Sequence, residues 1–175
     1  MAVKVKSLAF GKPPFRKLGN FNIQFADRLT LIAGHNGIGK STILGLVANT
    51  FGFTERGGPK SYFGEPFYAN IERIVYLALT EVAEAQKDIA SAPVVTASVN
   101  GIEVKKRCSM THRTVWKRAR VVPRTIDKSD GDVVGQDAKV PLPTIYLGMK
   151  RLASAGEADE KEVASTKLDM HDDDS

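Results

Sequence analysis

One stretch of this sequence could do chemistry on a phosphate chain: Gly34-His35-Asn36-Gly37-Ile38-Gly39-Lys40-Ser41-Thr42. It satisfies the Walker A pattern of a glycine, four variable positions and then Gly-Lys-Ser/Thr. Glycines let successive backbone N–H groups converge on phosphate oxygens without side chains between them. A helix starting near Lys40 would add its positive dipole end and its unpaired N–H groups. The expected cradle for ATP therefore comprises Gly34, Asn36, Gly37, Ile38, Gly39, Lys40, Ser41 and Thr42. Lys40 is the expected catalytic residue, reaching the β- and γ-phosphates. Ser41 is the expected Mg²⁺ ligand through its hydroxyl, and Thr42 a donor on the α-phosphate side. With glycine near 7% of residues, such a match arises by chance in under roughly 1% of chains this size.

Other reactive side chains have plainer readings. His35 occupies a variable loop position and reads as filler rather than as a catalyst. His112 and His171 have no companions at zinc-ligand spacing. The single cysteine, Cys108, excludes an internal disulfide, fits a reducing compartment and reads as a small strand residue.

The loop must be mounted on regular elements. Val3–Phe10 reads as a first strand, and Phe21, Ile23 and Phe25 alternate with polar residues as a second. Leu29-Thr30-Leu31-Ile32-Ala33 is a nearly continuous apolar run, expected as a central strand buried on both faces. After the loop, Ile43, Leu44, Leu46, Val47 and Phe51 give a helix from about Lys40 to Phe51 one apolar side. Residues 54–66 read as an irregular loop. Ile71 to Val82 fits helical spacing, but Ile74-Val75-Tyr76-Leu77 has strand composition, so a strand is expected at its start. Asn100-Gly101 is the preferred pair for a two-residue hairpin turn. It sets Val99 opposite Ile102, Ala97 opposite Val104 and Val95 opposite Lys106. Arg113 to Val122 reads as a further strand, 127–136 as a mobile loop, and 143–148 as a return to the buried sheet.

The chain has 175 residues, enough for one sizeable core, and no apolar run near the roughly 18 residues that span a bilayer. No secretory signal is evident, so a cytoplasmic, soluble protein with no membrane partner is expected. The formal net charge is +5. From Glu157 onward eight acids stand against Lys161 and Lys167, so the body is strongly basic. Two parts are expected: a domain over 1–152 and an acidic, disordered or cut linker over 153–175.

Together, two antiparallel strands ahead of the loop strand and a loop of the form G-x-N-G-x-G-K-S-T resemble the N-terminal lobe of ABC-type ATPases. The group is that of SMC, SbcC, RecF and RecN. Ile102–Ile126 and Leu142–Gly148 are similar to SMC-like ATPases of DNA repair and anti-phage defence. The resemblance implies an α/β P-loop NTPase fold, an ABC head lobe with a mixed sheet, one P-loop helix and an antiparallel hairpin subdomain. It implies ATP and Mg²⁺ as cofactors, and as partners DNA, a second copy joined on ATP binding, and a nuclease. In that group each ATP lies between one head's Walker A loop and the other's signature motif. This sequence has no LSGGQ-like signature, no four apolar residues followed by Asp-Glu as Walker B, and no convincing glutamine loop. Gln136 is the one late candidate, in loop-like surroundings. A chain stopped before the second lobe is the expectation.

Lys105, Arg107, Arg113, Lys117 and Arg118 are the candidate DNA contacts, within a basic stretch that also holds Lys106, Arg120, Arg124 and Trp116. A solvated sheet face is their bland alternative. Arg16 lies where the resemblance places a nucleotide contact, although a surface position is its plainer reading. Two other functions compete. A small P-loop kinase usually carries the loop at its first strand and lacks such a hairpin. A non-hydrolysing nucleotide-binding module is allowed by the missing Walker B.

Overall fold

Alternating apolar residues become one antiparallel sheet in a computed structural model of the chain. The structure describes residues 2–53, 60, 69, 71, 74–113, 118–126, 134 and 139–146. Residues 1–145 form one compact unit; of the second, beginning at Tyr146, only Tyr146 is described. The strands are β1 (Val3–Phe10), β2 (Phe21–Gln24), β3 (Val94–Val99), β4 (Ile102–Arg113) and β5 (Arg118–Ile126), in the order β2-β1-β3-β4-β5. All four pairings are antiparallel. The mixed sheet implied by the resemblance is thus corrected: among the described residues the only parallel pairing is an isolated bridge between Phe51 and Val140.

A register shift between Val5 and Ser7 inserts one residue into β1 against β3. This bulge keeps Val3 and Val5 on the same face as Leu8 and Phe10, which strict alternation would not. Phe10 stacks on Phe21 of β2 with ring centroids 4.9 Å apart. The Asn100-Gly101 turn forms with the expected pairs, Val99–Ile102, Ala97–Val104 and Val95–Lys106. Its φ values of 51° and 87° are those a type I′ turn demands. Leu8, Val95, Ala97, Val99, Val104, Cys108 and Val121 line the core face. Lys106 joins them, fully buried, its ammonium donating to Thr125 Oγ1 at 2.7 Å.

Helix α1 (Lys40–Thr50) buries Ile43 and Leu46. Its end is tied down by polar contacts. Asn49 Nδ2 donates to the Val121 carbonyl at 2.9 Å, and its Oδ1 accepts from Ile71 N at 3.2 Å. Lys139 Nζ donates to the carbonyls of Asn49 (2.6 Å) and Ala69 (2.7 Å). Val140 N donates to Thr50 O, and Gly52 N to Val140 O. Helix α2 spans Leu79–Lys87 and packs beside β4.

Four further expectations are corrected. Leu29–Ala33 joins no ladder, and Leu29 and Leu31 are 82% and 87% exposed. An apolar run becomes a central strand only with neighbours on both sides, and none is found among the described residues. Ile74–Leu77 forms a turn and irregular backbone rather than a strand, with helix only from Leu79. Arg113 to Val122 is not one strand: Arg113 closes β4 and Arg118 opens β5. Pro143–Tyr146 is not strand, and Ile145 is exposed. Most of the loops expected at 54–66 and 127–136, including Gln136, lie outside the described residues, as do residues 153–175.

Candidate functional site

The phosphate-loop residues form a turn between an extended lead-in and α1. Ala26 N donates to Thr30 Oγ1 at 2.9 Å, which shapes the entry. Asp27 pairs with Lys4 of β1, whose ammonium holds the Asp27 carboxyl below the usual range by hydrogen bonding and then by its charge. Within the loop Gly34, Gly37 and Gly39 all have positive φ. Gly39 (φ 108°) is the residue before α1. A Cβ there would also meet the Leu18 side chain at 2.9–3.0 Å, so glycine is required by conformation and by space.

No side chain caps α1, and its first turn carries no acid. The N–H groups at that end are left for another acceptor, at the positive pole of the helix. Lys40 Nζ donates to the carbonyls of Gly34 (2.6 Å) and His35 (2.9 Å), which sets the ammonium across the loop. Ser41 is exposed on the first turn, and Thr42 is buried. This arrangement offers an anion a ring of backbone donors, one ammonium and one exposed hydroxyl.

Arg16 is drawn into this region, contrary to the plainer surface reading. Its NH1 donates to Thr42 Oγ1 at 3.1 Å. Its Nε and NH2 donate to the two carboxylate oxygens of Glu81 at 2.8 and 3.2 Å, and NH2 also donates to the Tyr76 carbonyl. Neither Glu81 nor Leu18 belongs to a motif in the sequence. Both act only because 11–20 folds back over the start of α1, which no local pattern encodes. A cavity of about 450 Å³ adjoins this pair, lined in part by Pro13, Phe15, Arg16, Glu81 and Met110 and by no residue of the phosphate loop.

The DNA-contact candidates divide. Lys105 is exposed and pairs with Glu103 at 3.3 Å. Arg107 sits opposite Arg124, and Thr111 opposite Arg120. Lys105, Arg107, Arg120 and Arg124 therefore share one sheet face. The Arg107 Nε is buried without a hydrogen-bond partner. Lys106 belongs to the opposite, core face. Arg113 and Arg118 pair across the two strands, but their side chains, and all of Lys117, lie outside the described residues. Among the described residues no helix is long and apolar enough to cross a membrane.

A family model described as an AAA domain matches residues 14–136. That span takes in Arg16, the whole phosphate loop, Glu81 and the β3–β5 sheet. Neither the curated proteins nor the solved structures give a match.

Proposed function

This chain belongs to the AAA domain family, and from that membership we propose that it binds MgATP in the loop Gly34–Thr42 as an SMC-like ATPase lobe. The observation carrying this reading is the phosphate loop itself: three glycines at positive φ feed an uncapped helix whose first residue, Lys40, lays its ammonium back across the loop. The residues present fit the ligand. Backbone N–H groups from Asn36 to Thr42 are the donors for the phosphate oxygens, Lys40 is the counter-charge, and Ser41 presents the hydroxyl suited to Mg²⁺. Bound MgATP supplies the phosphoanhydride and the metal charge that offsets its oxygens. Lys40 would release its loop carbonyls to meet phosphate oxygens, while the Thr42 hydroxyl accepts from Arg16 NH1 beside the helix start.

Hydrolysis also needs a base that positions water and a carboxylate that steadies the metal. This sequence has no Walker B pair and no signature motif. Binding with little turnover is therefore the behaviour proposed for the chain as it stands. Fluorescent ATP titration is the test. Lys40→Ala should weaken MgATP binding by at least about 30-fold, the scale of removing one partner of a desolvated charge contact. The melting temperature should hardly move, because Lys40 Nζ contacts only exposed loop carbonyls. Undiminished binding by that variant would overturn the assignment.

A second reading, DNA contact, is favoured by the strand register. It gathers Lys105, Arg107, Arg120 and Arg124 on one face. Cations gathered on one face of a sheet suit the regularly spaced phosphates of a duplex. Duplex binding should weaken steeply with salt. The double charge reversal Lys105→Glu/Arg107→Glu should lower the salt slope by roughly 2. Binding insensitive to both removes DNA from the reading.

A further inference from the structure

Arg16 reaches the start of α1 as part of a connected set of hydrogen bonds, and the far end of that set is Glu81. A guanidinium has five N–H donors in a rigid fork. Four are committed: Nε to Glu81, NH2 to Glu81 and to the Tyr76 carbonyl, and NH1 to Thr42 Oγ1. The fifth is on NH1, the same nitrogen that touches Thr42. The fork is thus spent on its Glu81 side and has a donor left on its phosphate-loop side.

Both ends of this link are fixed to backbone. The Glu81 carboxylate also accepts from Ala78 N at 3.3 Å, which anchors it to the first turn of α2. Arg16 has φ 58° inside a tight turn closed by Phe15 N to Leu18 O (2.8 Å) and Leu18 N to Phe15 O (3.0 Å). The Leu18 side chain of that turn abuts Gly39.

The electrostatics give Glu81 a task. Thr42 lies in the first turn of α1, where the helix end is positive, so a lone guanidinium there is repelled. Glu81 supplies the opposite charge that keeps Arg16 in place before any anion arrives. Ordering the cation in advance removes part of the entropy that binding would otherwise cost. We propose that Glu81 is a positioning residue for nucleotide binding, holding the Arg16 guanidinium at the Thr42 edge of the phosphate loop. The proposal rests on the reading of Gly34–Thr42 as a triphosphate site.

The test is a double-mutant cycle in MgATP affinity, with thermal melts run alongside. Glu81→Gln keeps the side-chain shape but loses the charge and one acceptor. It should weaken MgATP binding roughly 3- to 10-fold. Arg16→Ala should weaken it at least as much, and the double variant no further than Arg16→Ala alone. A general loss of packing would instead add to the Arg16→Ala effect. Should Glu81→Gln melt below the assay temperature, Arg16→Lys carries the test. Lysine keeps the charge but cannot span Glu81, Tyr76 and Thr42 together, so its affinity should match that of Arg16→Ala. Unchanged or tighter binding by Glu81→Gln, additive losses, or wild-type affinity in Arg16→Lys would overturn the proposal while leaving the phosphate site standing. Absence of MgATP binding by the wild-type chain would overturn both.

Discussion

In β3, Val95, Ala97 and Val99 are buried between β1 and β4, whereas in the segment leading to the phosphate loop Leu29 and Leu31 face solvent. The two stretches are of similar length and similarly apolar. What separates them is the supply of neighbours. Strand β3 has a ladder on each side; the lead-in has none among the described residues. Fully burying a leucine side chain stabilises by about 1.5–3 kcal/mol, so the lead-in forgoes a contribution that β3 collects at every second position. The phosphate loop is consequently held from one side. Its grip comes from α1, from Leu18 against Gly39, and from Ile71, Ile74 and Val75 packed on Gly45. The strand-like run before it adds only the partly buried Ile32.

A matched pair of substitutions makes this contrast measurable. Leu8→Ala, at a fully buried position of β1, should destabilise by about 2–5 kcal/mol. Leu31→Ala should stay within about 0.5 kcal/mol, as surface changes do. Urea midpoints at constant m-value give both numbers. A Leu31→Ala cost approaching that of Leu8→Ala would mean the lead-in is packed in solution, and the contrast would be broken.

The same contrast explains what could be read from the sequence. The Asn100-Gly101 hairpin is encoded by adjacent residues, and its register follows from the turn alone. Helix α1 likewise declares itself within a dozen positions and starts at Lys40, one residue after the glycine that begins it. The failures are all non-local. Leu29–Ala33 has the composition of a central strand, but composition does not supply flanking strands. Ile74–Leu77 has β-branched residues and an aromatic, yet it is consumed in packing on Gly45 and in giving Arg16 the Tyr76 carbonyl. The basic stretch reads as one block; the hairpin register already turns Lys106 to the face of Val95, and only the pairing with β5 brings Arg120 and Arg124 onto the face of Lys105 and Arg107. Arg16 reads as surface because its acceptors, Thr42 and Glu81, are distant in sequence.

Cys108 sharpens the comparison from the sheet side, with a smaller effect. It sits on the core face of β4, fully buried, within 3.7 Å of Thr50 Oγ1 on α1. Burial is the main cause that pushes its thiol up from 9.0 to about 12; the Thr50 contact and the Lys139 charge oppose this more weakly. The folded chain therefore holds the proton where the unfolded chain releases it. Below about pH 9 both states carry the thiol and stability is unaffected. Between about pH 9 and 12 only the unfolded state ionises, so this group should lower stability by about 1.4 kcal/mol for each pH unit. Replacing Cys108 with alanine should lower stability at pH 8 through lost packing, yet flatten the decline between pH 9 and 11. At pH 8 a thiol reagent should label native Cys108 only through unfolding, at a rate that falls with added stabiliser and rises with urea. A cysteine placed at Leu31 should label at once under the same conditions. Equal rates at the two positions would mean that β4 opens as readily as the lead-in, and the sheet would lose its standing as the rigid partner of the pair.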